Sequence, residues 1–313
     1  MWSRLERWIP ELPDDAATAQ RCRWLVAIFY GSAVADVYLW ARVAEGLSGQ
    51  WEPKLGLWIS HLIPASYAHS MVYPLVLVMA GSALLAAVAP QIRAARIGYC
   101  LSLLLVMAIF MDGKNKIDHA HHGLWWSSFL LVFLPPLGPK MTADHRRALV
   151  RMLWTVMAVL LLFYSLAGLA KLLASLRHLP FDRLTWLSWD ALAVTVVRDQ
   201  RSENTLLGSF LLAHPVLSFT LQLGVLYLEL FAIVAAFRLR LARLFGASLV
   251  ALHLGIRFTM GISFRPATLL LVLFVIANPL AVSAGARATL GELPLFGRLI
   301  RRLWPATGDP EPG

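Results

Sequence analysis

The sequence predicts an all-α protein, a polytopic integral membrane bundle of about eight transmembrane helices with additional interfacial helices. Of the 313 residues, 58% are hydrophobic and only 15% are charged. A soluble globular domain has roughly 45–50% apolar and about 25% charged residues, so this chain is too apolar for one water-solvated core. Its apolar stretches are also long and continuous, which is typical of transmembrane helices.

The membrane spans are predicted from hydropathy, because a helix needs about 20 predominantly apolar residues to cross the bilayer. Eight stretches approach this length and composition. They are 24–41, 70–89, 97–112, 121–137, 150–173, 216–237, 244–262 and 266–284.

Three further segments have interfacial character. The stretch with Trp51, Trp58 and His61 is expected to lie on the membrane surface or to re-enter it, and the mixed connection 174–215 favours interfacial helices. The C-terminal segment GELPLFGRLIRRLW alternates apolar and arginine residues and predicts an amphipathic helix on an anionic leaflet.

The distribution of basic residues predicts the orientation. The net charge is +10, and if the N-terminus is cytoplasmic, most Lys and Arg residues fall on that side. The positive-inside rule then places both termini in the cytoplasm, in a protein of the bacterial inner membrane type. The excess charge therefore indicates contact with the lipid bilayer and not with nucleic acid.

The chain is predicted to be a single transmembrane domain over 1–313. Its cytoplasmic ends would be the segment 1–23, in which we expect no cleavable signal peptide, and the amphipathic tail 285–313.

Ionisable residues within the predicted spans are the candidate functional residues, because a charge at membrane depth is costly and usually faces the bundle interior. They are Asp36, the cluster from Asp112 to His122, Lys171, Glu229, and the pair His253 and Arg257.

Lys171 lies near the end of a span, between FYSLAGLA and LLA. Small residues allow helices to approach closely and exclude water. Burial disfavours the ammonium ion and so favours a neutral amine that can act as a base. The alternative is a snorkelling lysine whose head reaches the interface. Glu229 would be protonated or paired, either in a structural ion pair with Lys171, Arg257 or another basic residue, or in a proton-handling role.

His253 and Arg257 are four residues apart and therefore share one helix face, which could present hydrogen-bond donors to an anion or an oxygenated ring. His119, His121 and His122 follow one another closely at the start of a span. Histidine is a common metal ligand, but the chain has no second histidine cluster of the kind that membrane di-iron enzymes need, so no metal is expected.

Three segments resemble motifs of a known family. The segment YSLAGLAKL combines an aromatic residue, an Ala-Gly pair and a Lys-Leu pair that ends the motif on Lys171 and Leu172. The second runs from the acidic residue Glu229 through a basic turn to the span that contains His253, and on to the Gly-x-Phe-type end at 261–264.

The third segment is the polar run after Asp112, which leads to a histidine before an apolar span. Together the three resemble the HTTM superfamily, the membrane domain shared with the vitamin K-dependent γ-carboxylase. Alignment without gaps puts the family histidine on His119, with Asp118 in place of an asparagine. His121 or His122 takes that position if the loop is one turn longer.

The resemblance implies a carboxylase- or epoxidase-like enzyme. Lys171 would deprotonate a reduced quinone similar to vitamin K hydroquinone, which reacts with O2, with CO2 as a further substrate if the chain carboxylates. His119 would be the second catalytic residue. His253, Arg257, Glu229 and His122 would bind the quinone and stabilise developing charge.

Two other functions remain open at this stage. The first is a non-enzymatic maturation or export partner for a secreted peptide or protein, a role that the resemblance implies for some members of the superfamily. Its partner would be the secreted peptide or a second membrane protein. The second is a transporter or channel with an ion path through Asp36, Glu229 and Arg257. The sequence shows neither an inverted repeat nor paired broken helices to support transport.

Overall fold

The computed structural model describes residues 10–46, 65–114, 119–138, 141–178, 185–199 and 205–304. Regular structure within these ranges is helical, which confirms the all-α class. The chain forms two compact units, an N-terminal unit of Leu12–Val156 and a C-terminal unit of Met157–Gly313 together with Met1–Glu11. The stretch around Trp51, Trp58 and His61 lies outside the described residues.

The N-terminal unit contains four helices and the beginning of a fifth. They are α1 (Ala16–Gly46), α2 (Ala65–Val88), α3 (Arg93–Lys114), α4 (His119–Leu131) and the first part of α5 (Ala143–Leu176).

The C-terminal unit contains the rest of α5 and the helices that follow it. They are α6 (Ala191–Asp199), α7 (Leu206–Ala213), α8 (Pro215–Phe231), α9 (Val234–Phe237), α10 (Ala242–Met260), α11 (Arg265–Leu271) with a π-helical turn (Val272–Ile276), α12 (Ala286–Leu290) and α13 (Gly297–Leu303).

Three helices in the described residues are long and apolar enough to cross a membrane. They are Ser70–Val88 in α2, Arg93–Met111 in α3, and α5. A fourth crossing results if α7 and α8, which are bent by 107° at their junction, count as one broken span. These helices are compatible with the predicted membrane character.

The predicted number of eight spans is not confirmed. The stretch 121–137 lies on α4, whose 13 residues extend only about 20 Å, less than the hydrocarbon core of about 30 Å. The stretch 266–284 lies on the short apolar helix Arg265–Ile276. The spans at 24–41 and 244–262 fall on α1 and α10 and stay predictions.

In the N-terminal unit, α2 packs against both α1 and α3. Asp15 caps α1 by accepting hydrogen bonds from the Thr18 backbone N–H at 2.9 Å and the Thr18 hydroxyl at 2.7 Å. These bonds lower the pKa of the Asp15 carboxyl, because they favour its charged form. Arg147 pairs with Asp14 at 3.0 Å, so the polar beginnings of α1 and α5 are joined.

In the C-terminal unit, α10 packs closely against the π-helical turn after α11. A Cβ at Gly246 would lie 2.8 Å from Ile276 Cγ1 and 2.9 Å from Val275 Cγ1, so the contact depends on a glycine there. Asn278 then ends the segment by donating to the Phe274 carbonyl at 2.8 Å and accepting from the Leu280 N–H at 3.0 Å. This packing holds α10, which carries His253.

Candidate functional site

Lys171 and Glu229 form an ion pair between α5 and α8. Lys171 Nζ lies 2.5 Å from Oε1 and 2.6 Å from Oε2 of Glu229. The Lys171 side chain is 24% exposed and that of Glu229 is 9% exposed. Of the partners that the sequence left open for Glu229, the structure selects Lys171.

The ion pair forms where α5 and α8 approach most closely. A Cβ at Gly168 would lie 2.7 Å from the Leu230 backbone nitrogen and 2.9 Å from Glu229 Cβ, so only glycine allows this contact. The Ser165 hydroxyl accepts a hydrogen bond of 2.9 Å from the Ile233 N–H, just beyond the end of α8. Contacts move backwards along α8 as they move forwards along α5, so the two helices run antiparallel.

Trp186 covers the Lys171 ammonium. Its ring centre lies 4.4 Å from Lys171 Nζ, within the range of a cation–π interaction. Trp186 belongs to the segment between α5 and α6, which the sequence predicts only as an interfacial connection. The lysine head therefore contacts a carboxylate on one helix and an aromatic face from the following segment.

Gln222 holds that segment in place. Its side chain is fully buried, and Nε2 donates to the carbonyls of Trp186 at 2.6 Å and Ser188 at 3.0 Å. Oε1 accepts from the Leu192 N–H at 2.8 Å, so one amide makes three hydrogen bonds to the segment that carries Trp186. Gln222 lies seven residues before Glu229 and shares the buried face of α8. The signal in the sequence that could have predicted this role is an amide within the apolar run SFTLQLGVL.

We expect Gln222→Met to release this segment. Methionine fills a similar volume but removes all three hydrogen bonds, so amide hydrogen exchange in residues 185–192 should become about tenfold faster or more. Thr220→Val is the control, because Thr220 on the same helix donates only to the Val216 carbonyl of its own turn. Unchanged exchange in Gln222→Met would contradict the assigned role.

His253 forms a second polar pair with Tyr164. Tyr164 Oη and His253 Nε2 are 2.6 Å apart, and the Phe264 ring lies 5.0 Å from the imidazole. His253 is 8% exposed, and within the described part of the chain its Nδ1 has no hydrogen-bond partner. Gly261 ends α10 in the left-handed conformation, with φ of 70°, and so lets the chain return Phe264 to His253.

The two pairs belong to one face of α5. Tyr164, Gly168 and Lys171 follow each other at intervals of four and three residues, which places them on one side of the helix. Tyr164 was not among the sequence candidates, since a tyrosine in an apolar span has many structural explanations.

The other candidate residues have different surroundings. Arg257 is exposed in the last turn of α10, and no hydrogen bond or ion pair of the described residues joins it to Lys171, Glu229 or His253. It shares the helix of His253 but not its contacts.

The candidate histidines belong to the N-terminal unit. His119 begins α4, and its side chain lies outside the described part of the structure. His122 is half-buried on the same helix, and the ring of its neighbour His121 lies 4.8 Å from that of Trp40. Their participation in a common site with Lys171 stays a prediction. Among the described residues there is no group of three or more His, Cys, Asp or Glu that could hold a metal ion.

The chemistry available at this site is proton transfer. A Lys–Glu pair can exist as ammonium and carboxylate or as amine and carboxylic acid, and the two forms differ by one proton moved over a hydrogen bond. Low polarity favours the neutral form and water favours the ionic form. Removal of water from Lys171 would therefore produce a basic amine beside a Glu229 carboxyl that has taken up the ammonium proton.

Comparisons with known proteins identify no relative of this chain. No family model matches the chain, and neither the curated proteins nor the solved structures contain a match.

Proposed function

We propose that this chain is an integral membrane enzyme, similar to the HTTM superfamily, that binds a reduced quinone beside Lys171 and deprotonates it. The observation that carries the proposal is the Lys171–Glu229 pair, with Nζ 2.5 Å from Oε1 and covered by Trp186. A base that must act on a weakly acidic hydroxyl is best kept in an apolar environment, where its neutral form is accessible.

Each residue has a definite task in this proposal. Lys171 Nζ would accept the proton of the quinol hydroxyl, after the ammonium proton has passed to the Glu229 carboxylate. Trp186 would exclude water and offer a ring face against which a naphthoquinone can stack. The oxygenated intermediates that O2 would supply, and carboxylation with CO2, belong to the same proposal.

His253 would contribute a hydrogen bond to the quinone. Its Nδ1 is buried and lacks a partner within the described residues, although buried polar atoms are generally satisfied. The Tyr164 hydroxyl at Nε2 would set the tautomer, so that Nδ1 can donate to a quinone oxygen. Arg257, His119 and His122 keep their predicted roles in binding or catalysis, which the ion pair neither supports nor opposes.

Lys171→Arg separates this function from a purely structural ion pair. Arginine can keep the charge and the pairing with Glu229 but stays protonated, so it cannot serve as the base. We expect O2 consumption and epoxide formation with a reduced naphthoquinone to fall about 100-fold or more, with the folded protein retained. Arg177→Lys, an exchange of the same kind in the exposed turn after α5, should leave turnover unchanged. Full activity in Lys171→Arg would show that Lys171 is structural.

The bend between α7 and α8 favours a second candidate, the movement of an ion or proton. The two helices meet at 107°, and α8 carries Glu229. Broken helices are typical of transporter binding sites near the membrane midplane. Proteoliposome flux that Glu229→Gln abolishes, without quinone turnover in the parent protein, would support transport over catalysis.

A further inference from the structure

We infer that the C-terminal unit contains a binding site for a phosphate ester, the headgroup of an anionic phospholipid, between the α9–α10 turn and the segment before α13. A cavity of about 490 Å³ lies there, within the size range of small-ligand sites. Three arginines line it, Arg238, Arg240 and Arg301. This site is independent of the proposed quinone chemistry.

The charge of the cavity favours an anion. Glu292 is the carboxylate that lines it, and it pairs with Arg240 at 3.0 Å. Three guanidinium groups around one carboxylate leave an excess of two positive charges, and their mutual repulsion is relieved when an anion binds among them. Guanidinium groups match phosphate oxygens in bidentate geometry.

Each of the three arginines is held in position by the segment before α13. Arg238 Nη1 donates to the Glu292 carbonyl at 2.5 Å, and Arg301 Nη1 donates to the Gly291 carbonyl. Arg240 Nη1 donates instead to the Glu292 carboxylate at 3.0 Å, so in the described structure each of the three makes one hydrogen bond and most of its five N–H groups are available to a ligand. The contacts of Arg238 and Arg301 are to main-chain oxygens, which orient these two guanidinium groups without a carboxylate that would neutralise their charge.

The segment 291–297 that supplies these carbonyls is itself anchored. A Cβ at Gly297 would collide with the Gly291 carbonyl oxygen, so the turn closes only with glycine there. The Tyr227 hydroxyl donates to the Pro294 carbonyl at 2.8 Å and ties the turn to α8. Leu295, within this turn, lies in the left-handed region with a φ of 66°. The cavity wall is therefore a built structure.

The apolar surroundings select a lipid as the source of the phosphate. Phe237, Leu239 and Val282 line the cavity beside the arginines. Leu295 is 76% exposed and Leu303 is 75% exposed on the same C-terminal segment, which suits insertion at the boundary of headgroups and acyl chains. A headgroup between the arginines would leave its acyl chains along this apolar surface.

The test measures lipid binding to the purified full chain in detergent by native mass spectrometry. We expect phosphatidylglycerol to bind at least about tenfold more tightly than phosphatidylcholine, and Arg240→Gln and Arg301→Gln each to remove about tenfold of that affinity. Arg298→Gln is the matched control, with the same loss of charge from the same short helix but outside the cavity. It should leave the preference unchanged.

Three results would overturn the assignment. An equal loss in Arg298→Gln would indicate diffuse charge attraction, and equal binding of phosphatidylcholine would indicate acyl-chain contact alone. Glycerol 3-phosphate that binds at the same arginines as tightly as the lipid would make a soluble phosphate ester the ligand. If Arg301→Gln does not fold, Arg240→Gln decides, because Arg240 contacts the Glu292 side chain and not the main chain of the turn.

Discussion

Gly168→Ala is expected to lower the free energy of unfolding by about 2 kcal/mol, because the added methyl group has no space between α5 and α8. A Cβ there would lie 2.7 Å from the Leu230 backbone nitrogen and 2.9 Å from the Glu229 carbonyl carbon. These are main-chain atoms, which cannot turn aside as a side-chain tip can. The helices must separate, and the separation would lengthen the contacts between Glu229 and Lys171.

Gly224→Ala is the control for this effect. Gly224 lies on α8, and a Cβ there would meet nothing within 4 Å. Because alanine favours a helix over glycine, the free energy of unfolding should stay the same or rise by up to about 1 kcal/mol. Equal stability of Gly168→Ala and Gly224→Ala, measured by denaturation in mild detergent, would contradict the close helix contact.

The second large effect on the free energy of unfolding is expected from the loss of the Lys171–Glu229 pair. A double-mutant cycle with Lys171→Met and Glu229→Leu measures it. Lys171→Met leaves a buried carboxylate without its partner and should cost about 3 kcal/mol. Glu229→Leu should cost about 2 kcal/mol, because the Lys171 head is partly exposed and keeps some hydration. The double variant leaves neither charge, so we expect a coupling energy of about 2 kcal/mol.

The exposed pair of Arg240 and Glu292 provides the comparison for that cycle. Its atoms are 3.0 Å apart, but the Arg240 side chain is 51% exposed, so water competes for the charges. The same cycle with Arg240→Met and Glu292→Leu should give a coupling of about 0.5 kcal/mol or less. Similar coupling energies in the two pairs would indicate that burial does not strengthen the Lys171 contact.

The helix boundaries show how far hydropathy alone can predict this fold. The predicted span 244–262 lies within two residues of α10, because Gly261 stops the helix where the apolar stretch also ends. The predicted span 150–173 is shorter than α5, since a helix continues through polar residues that end a hydropathy signal. The span 216–237 includes the turn between α8 and α9, which breaks the helix within apolar sequence.

The candidate site was partly predictable for a different reason. Lys171, Glu229 and His253 are costly in an apolar stretch, so each stands out in the sequence whatever its neighbours are. Trp186 and Gln222 do not stand out, because an aromatic residue in a connection and an amide in a helix have many ordinary roles. Only their contacts with Lys171 and with the segment after α5 distinguish them.

By itself the sequence determined that the chain is helical and apolar enough for a membrane. It also showed which few ionisable residues lie within apolar stretches, where a charge is energetically unfavourable. Composition and periodicity are properties of the sequence itself, so they can be recognised without the tertiary structure. The tertiary structure decided that Glu229 pairs with Lys171, that Tyr164 meets His253, and that three arginines surround one cavity. Those pairings depend on how closely helices distant in sequence approach, and a single glycine such as Gly168 sets that distance.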